Sequence, residues 1–218
     1  METQTVPFQK SYVKDFIMGM PELEADIVLK KFYDGVYQLA GYYPGNGANK
    51  WKVINDTIGS VIEKREKMLD VGCGPGLCVK AMCESGHDAY GVDLATLPEM
   101  WEKNGVKDRC ITANAKYLPF SDGEFGVVTC MDVLEHIREE DVPQVLKELF
   151  RVSNKITALS ISLLEENEPV YGRIYSHITI HDSGWWKEQL ANIGIHNFIE
   201  AASVDRYNVC HWRGTVRH

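Results

Sequence analysis

Residues 68–82 read MLDVGCGPGLCVKAM. An apolar run breaks into Gly72, Gly74 and Gly76, spaced by two, and then resumes with helix-compatible residues. The pattern predicts a buried strand, a tight turn and a helix. Glycines at such a turn let the backbone take positive φ and approach a ligand closely. Asp70 interrupts the apolar run two positions before the first glycine, and a carboxylate inside a buried strand needs a reason.

Working outward, short apolar runs alternate with helical patterns from Lys67 onward. Strands are expected at Met68–Val71, Ala89–Val92, Arg109–Ala113, Gly126–Met131, Ile156–Leu163, His196–Ala202 and Tyr207–Val216. Helices are expected at about 76–85, 96–104, 142–152 and 183–193. GVVTCM is apolar on both faces, as a strand covered by helices on each side should be. Val142, Val145, Leu146, Leu149 and Phe150 form one stripe, with Asp141 placed to cap and Pro143 in the first turn. This alternation predicts an α/β fold of the Rossmann-like, doubly wound kind: a mostly parallel seven-stranded sheet with helices on both faces. Residues 1–63 differ. They read as helical segments around the turn-rich loop Gly41–Lys50, with Trp51, Ile54, Ile58, Val61 and Ile62 at helical spacing. They are expected to form an N-terminal helical cap of the same domain, and 64–218 the ligand-binding core.

The bulk numbers narrow the class. The chain has 218 residues, 44% hydrophobic and 25% charged, with a net charge of −8. That balance disfavours a nucleic-acid partner, which needs clustered Lys and Arg. No segment approaches a membrane span, and the N-terminus lacks the apolar core of a signal peptide, so a cytoplasmic protein is expected. The six cysteines form no C-x-x-C pair and read as reduced, mostly buried thiols. Nothing in the sequence fixes the oligomeric state.

In sheets of this kind ligands bind beyond the carboxyl ends of the strands. The glycine turn lies there, and so does Asp93, seventeen positions after Gly76, where a carboxylate suits a ribose diol or a helix cap. A dinucleotide site wants G-x-G-x-x-G, but here the third glycine comes one position early and Leu77 stands in its place. Asp70 would also repel a pyrophosphate. It suits a ligand with an ammonium group, as in S-adenosylmethionine. A ligand-free tight turn is the bland alternative.

LDVGCGPG, GVDLA and ANAKYLPFSDGEFGVVTCMDVLEHI together resemble the class I S-adenosylmethionine-dependent methyltransferases, continuously from about Lys67 to Phe150. The likeness is greatest to the branch with ubiquinone-biosynthesis and other small-molecule enzymes. It implies S-adenosylmethionine as cofactor and a small-molecule methyl acceptor. It also implies site roles. The Gly72–Gly76 backbone, Cys73 included, lies against the amino-acid tail and ribose, and Asp70 faces the ammonium. Asp93 takes the ribose hydroxyls, with Leu94 beside the adenine. Asn114 and Ala115 lie along the adenine edge, and Met131 and Asp132 border the sulfonium. The family often has Asp at the positions of Asn114 and Gly126.

Methyl transfer from a sulfonium asks chiefly for alignment and exclusion of water, so no fixed catalytic triad is expected. His136 in DVLEHI, and His177 and His181 in SHITIHDSGWW, are candidate bases for a hydroxyl or amine acceptor. Packing roles are the alternative for each. His177 with His181 gives no complete metal-ligand set, so no metal is expected. Trp185 or Trp186 could stack on a sugar, and Tyr171, Arg173 and Tyr175 could line an acceptor pocket. Tyr42 and Tyr43 could belong to a lid. The leading expectation is O- or N-methylation of a small molecule, with a sugar-containing metabolite preferred. A non-catalytic S-adenosylmethionine-binding sensor or partner subunit is the alternative, and a nicotinamide-dependent oxidoreductase the third reading.

Overall fold

The computed structural model describes residues 11–39, 47–166 and 174–213. β1 (Ser11–Tyr12) leads into α1 (Val13–Ile17), α2 (Glu22–Val36) and α3 (Gly47–Ile58). The alternating part then runs β2 (Lys67–Val71), α4 (Leu77–Glu84), β3 (Asp88–Asp93), α5 (Pro98–Lys103), β4 (Cys110–Thr112) and β5 (Phe125–Met131). It continues through α6 (Val142–Val152), β6 (Ser153–Ser162), β7 (Ile174–Tyr175), α7 (Ser183–Asn192), β8 (Phe198–Ala202) and β9 (Arg206–Trp212).

Seven strands form one sheet in the order β4-β3-β2-β5-β6-β9-β8. All pairs from β4 to β6 are parallel, and β9 runs antiparallel to both neighbours. The strand order reverses at β2, which pairs with both β3 and β5. Alternating side chains of β2 feed two cores. Leu69 and Val71 join a cluster with α6 and α7 on one face, where Leu149 and Trp186 are buried. Met68 joins a cluster with α3, α4 and α5 on the other, around Val79 and Trp101. Helices therefore cover both faces, as expected of a doubly wound sheet.

Two local expectations are corrected. The helical spacing read from Trp51 to Ile62 is helix only as far as Ile58, where Gly59 follows and its N–H returns to Asn55 O at 2.8 Å. Asp141 does not cap α6 through its side chain. Its carboxylate is drawn instead to Arg138 (2.7 Å) and Lys116 (3.3 Å). Asp182 does cap α7, accepting from Trp185 N at 2.9 Å. Tyr42, Tyr43, Tyr171 and Arg173, with the end of the last expected strand, lie outside the described residues.

A smaller sheet ties the N-terminal segment to the rest: β1 pairs in parallel with β7, Ser11 with Ile174 and Tyr12 with Tyr175. The rings of Tyr12 and Tyr175 lie 5.5 Å apart. Lys116 fastens α2 as well. Its buried ammonium reaches Glu22 and Asp26, both at 2.8 Å. No helix among the described residues is long and apolar enough to cross a membrane. The six cysteines are free.

Candidate active site

A cavity of about 340 Å³ opens at the carboxyl ends of β2, β3 and β5, where the strand order reverses. Its floor is the glycine turn. Gly72 has φ +77, and a Cβ there would stand 2.2 Å from Val133 Cγ2, so no larger residue fits. Gly76 also has positive φ (+80), but it lies behind the wall, where a Cβ would meet Val106 at 2.6 Å. It shapes the start of α4 and does not line the cavity.

Asp70 and Asp93 border the cavity and are both buried. Asp70 accepts a hydrogen bond from the Thr129 hydroxyl at 2.7 Å. Burial pushes its pKa up to about 6, against that bond and the Lys50 charge. Asp93 accepts from Gly74 N (2.7 Å) and Ala95 N (2.9 Å), so one carboxylate fastens the glycine turn to the end of β3. Burial raises Asp93 to about 6 despite these backbone bonds. Two carboxylates that are costly to ionise in a closed crevice would be relieved by a cationic ligand.

Cys73, Gly74, Leu94 and Ala115 lie on the wall. So does Asn114, but its amide is already engaged. Nδ2 donates to Asp26 at 3.1 Å, and Oδ1 accepts from Lys116 N at 3.0 Å. Met131 and Asp132 close the end of β5. Asp132 has φ +57, a left-handed conformation that Asp tolerates better than most residues. Burial disfavours its charge, but Lys50 (3.1 Å) and Arg206 outweigh this and hold the carboxyl below its usual range.

His136 and His177 line the same cavity, with their ring centroids 4.8 Å apart. His136 Nδ1 meets Ser176 O at 3.1 Å, and His177 Nδ1 meets Leu164 O at 2.8 Å. A carbonyl only accepts, so each Nδ1 carries the hydrogen and each neutral ring keeps its lone pair on Nε2. Burial pushes the pKa of His136 down and favours that neutral form. Glu166 fixes the neighbouring backbone, accepting from the N–H groups of Ser176 and His177. His181 is elsewhere. It reaches Glu139 at 2.8 Å, stacks on Trp185 at 4.0 Å and is absent from the cavity wall. Trp186 is core.

Sequence reasoning overlooked Tyr33, Tyr37 and Lys50, which also face the cavity. Leu29, Tyr33 and Val36 follow helical spacing on α2, a stripe that could have been read, and Tyr37 stands at its C-terminal cap. Lys50 carries no such signal. It stands in the first turns of α3 and donates to Met131 O at 2.8 Å from across the crevice.

Comparison with known proteins bears on this arrangement. A family profile described as a methyltransferase domain matches residues 69–157. The ubiquinone biosynthesis O-methyltransferase of Pseudomonas fluorescens (strain SBW25) is 31% identical over 113 residues, 49% of this chain and 47% of that protein. The chain spans a third to about half the length of the curated relatives it matches. The 1,6-didemethyltoxoflavin-N1-methyltransferase of Burkholderia thailandensis, solved with bound 1,6-didemethyltoxoflavin and S-adenosylhomocysteine, superposes with a TM-score of 0.63 at 17% identity, covering 88% of this chain and 90% of that one. A cyclase superposes at 0.57 and 18% identity, covering 81% and 74%. Both structural likenesses concern the fold. The profile match spans the glycine turn and the carboxyl ends of β2, β3 and β5, the part of the chain that borders the cavity. The ubiquinone biosynthesis O-methyltransferase of Methylococcus capsulatus is 40% identical over 77 residues, 33% of this chain and 32% of that protein.

Proposed function

We propose that the protein is an enzyme that transfers a methyl group from S-adenosylmethionine to an oxygen or nitrogen of a small molecule. The observation that carries this reading is the pair of buried carboxylates, Asp70 and Asp93, in a crevice floored by a glycine turn that admits no side chain at Gly72. The cofactor supplies a methyl already activated by a positive sulfur. Asp70 suits its ammonium, Asp93 its ribose hydroxyls, and Leu94 and Ala115 the adenine. Asp26 shares the Asn114 amide and stands beside the adenine wall. Tyr33 of α2 and Tyr37 at its C-terminal end help to exclude water from above, as does the N-terminal cap as a whole.

On the acceptor side, carbonyls engage Nδ1 of His136 and of His177, so Nε2 is the ring atom left to each for the acceptor. The acceptor's lone pair forms the new bond to the methyl carbon, the carbon–sulfur pair stays on sulfur, and the acceptor's proton passes to a ring nitrogen or to water. A sugar acceptor gains no support from the tryptophans, since Trp185 lies against His181 and Trp186 is core. The reduced cysteines fit a cytoplasmic setting.

The test is calorimetry with S-adenosylhomocysteine and NAD, followed by transfer of labelled methyl from S-adenosylmethionine to fractions of a cell extract. S-adenosylhomocysteine should bind and NAD should not, and label should move to a small-molecule fraction. Binding of NAD alone would end the assignment. Cofactor binding with no transfer to any fraction would favour the sensor or partner-subunit reading.

A further inference from the structure

A second cavity, of about 540 Å³, opens between α3 and the side of the sheet formed by β6, β9 and β8. Among the described residues it shares only Lys50, Met131 and Asp132 with the first cavity. The register of the sheet lays its floor. Ala158, Cys210 and Ile199 stand side by side on β6, β9 and β8, and Ser160, Asn208 and Ala201 form the next row. Alternate residues of a strand share a face, so Arg206 comes next on β9, at the Asp132 end. α3 lines the opposite wall in the same order: Lys50 beside Asp132, then Val53 and Ile54, then Thr57 and Ile58. Ile54, Ile58 and Ala158 are buried together, with Cys210 packed against them. Val53 and Ile199 remain 59% and 80% exposed, apolar side chains that a ligand could cover. The cavity is therefore cationic at one end and aliphatic at the other.

Two cations share one carboxylate at the polar end. Asp132 takes Lys50 at 3.1 Å and also Arg206, which donates to Ser160 Oγ at 3.1 Å as well. Both contacts of Arg206 use Nη1, so among the described residues its Nε and Nη2 have no acceptor. The other acid on the wall, Glu200, is taken up by Lys187 and by the Tyr207 hydroxyl, each at 2.6 Å. One positive charge is left in excess. We propose that this cavity binds an amphipathic monocarboxylate, its aliphatic chain between α3 and the β6-β9-β8 face and its carboxylate on Arg206 beside Lys50. A guanidinium receives a carboxylate on two nitrogens at once, the geometry that Nε and Nη2 offer. The chain displaces water from Ile54, Ile58 and Ala158 and covers Val53 and Ile199. A purely apolar ligand leaves the guanidinium edge unanswered, and a dianionic phosphate monoester asks for more than the single charge in excess. This binding does not rest on the methyl-transfer reading, since the site lies outside the first cavity and abuts it at Asp132.

The probe is octanoate, titrated by calorimetry into the full-length protein with and without saturating S-adenosylhomocysteine. One equivalent should bind in both cases. Octan-1-ol keeps the chain without the charge, and acetate keeps the charge without the chain; each should bind about tenfold or more weakly. Arg206→Gln should weaken octanoate by a similar factor. Ala201→Phe, at an exposed position of β8, should fill the cavity and abolish octanoate binding while leaving S-adenosylhomocysteine affinity unchanged. Circular dichroism identifies the variants that are folded. Absence of stoichiometric octanoate binding, an unaltered affinity in folded Ala201→Phe, or displacement of octanoate by S-adenosylhomocysteine would overturn the second site. Octan-1-ol binding as tightly as octanoate, or an unaltered affinity in folded Arg206→Gln, would overturn the carboxylate as the group it recognises.

Discussion

Asp70 links stability to function at a single side chain. Its raised pKa means that the ligand-free folded chain holds a proton more tightly than the unfolded chain does. The stability it contributes is therefore present below pH ~4 and lost as pH rises through about 6. Asp70→Asn should remove that dependence. We expect the variant to be more stable than the parent at pH 7.5 by up to ~3 kcal/mol and nearly equal at pH 4, read from melting curves without ligand. S-adenosylmethionine binding should weaken at least tenfold at pH 7.5 in the same variant, because the ammonium loses its counter-charge. A variant less stable at both pH values would contradict the burial argument. His177→Ala tests the other side of the cavity. Turnover should fall by 10²-fold or more while S-adenosylhomocysteine affinity changes less than threefold. An unchanged turnover removes His177 from the reaction.

At the scale of elements, the sheet and its helices were legible because each carries a strong period. GVVTCM, with apolar residues on both faces, became part of β5, and the stripe of Val145, Leu146 and Leu149 became the buried side of α6. The glycine turn was legible because positive φ is chemically written as glycine. The elements that complete the site were not. β1 and β7 are two residues each and owe their existence to one another. Lys50 meets Asp132 across 82 positions of sequence, and Glu166 meets His177 through a loop contact with no periodicity. Asp141 satisfied a capping rule on paper, but two cations compete for its carboxylate. Lys116 is the same lesson at larger cost, a lysine buried among Glu22, Asp26 and Asp141 where spacing gives no hint. Lys116→Met leaves Asp26 with only the Asn114 amide and Asp141 with only Arg138, and frees α2. We expect a loss of about 3–5 kcal/mol for the buried part of the network, together with weaker cofactor binding, measured by denaturant unfolding and calorimetry. The exposed Glu22 contributes little to that figure.

For the molecule as a whole, the crevice is assembled from the core sheet below and α2 above, so a ligand that fills it should tighten both. At 100 times its dissociation constant S-adenosylhomocysteine stabilises by about 2.7 kcal/mol, which for a chain of this size raises Tm by about 5–10 °C. NAD at the same concentration should leave Tm unchanged, and differential scanning fluorimetry reads both. The pairing of β1 with β7 carries a practical consequence of another sort. The strand that opens the described chain is stitched to the stretch immediately ahead of Ser176 and His177, so the two sides of the crevice are mechanically joined. Trimming the first twenty residues to obtain a tidier core would thus release the acceptor-side histidine along with the roof, and an inactive truncated protein would say nothing about which of the two mattered.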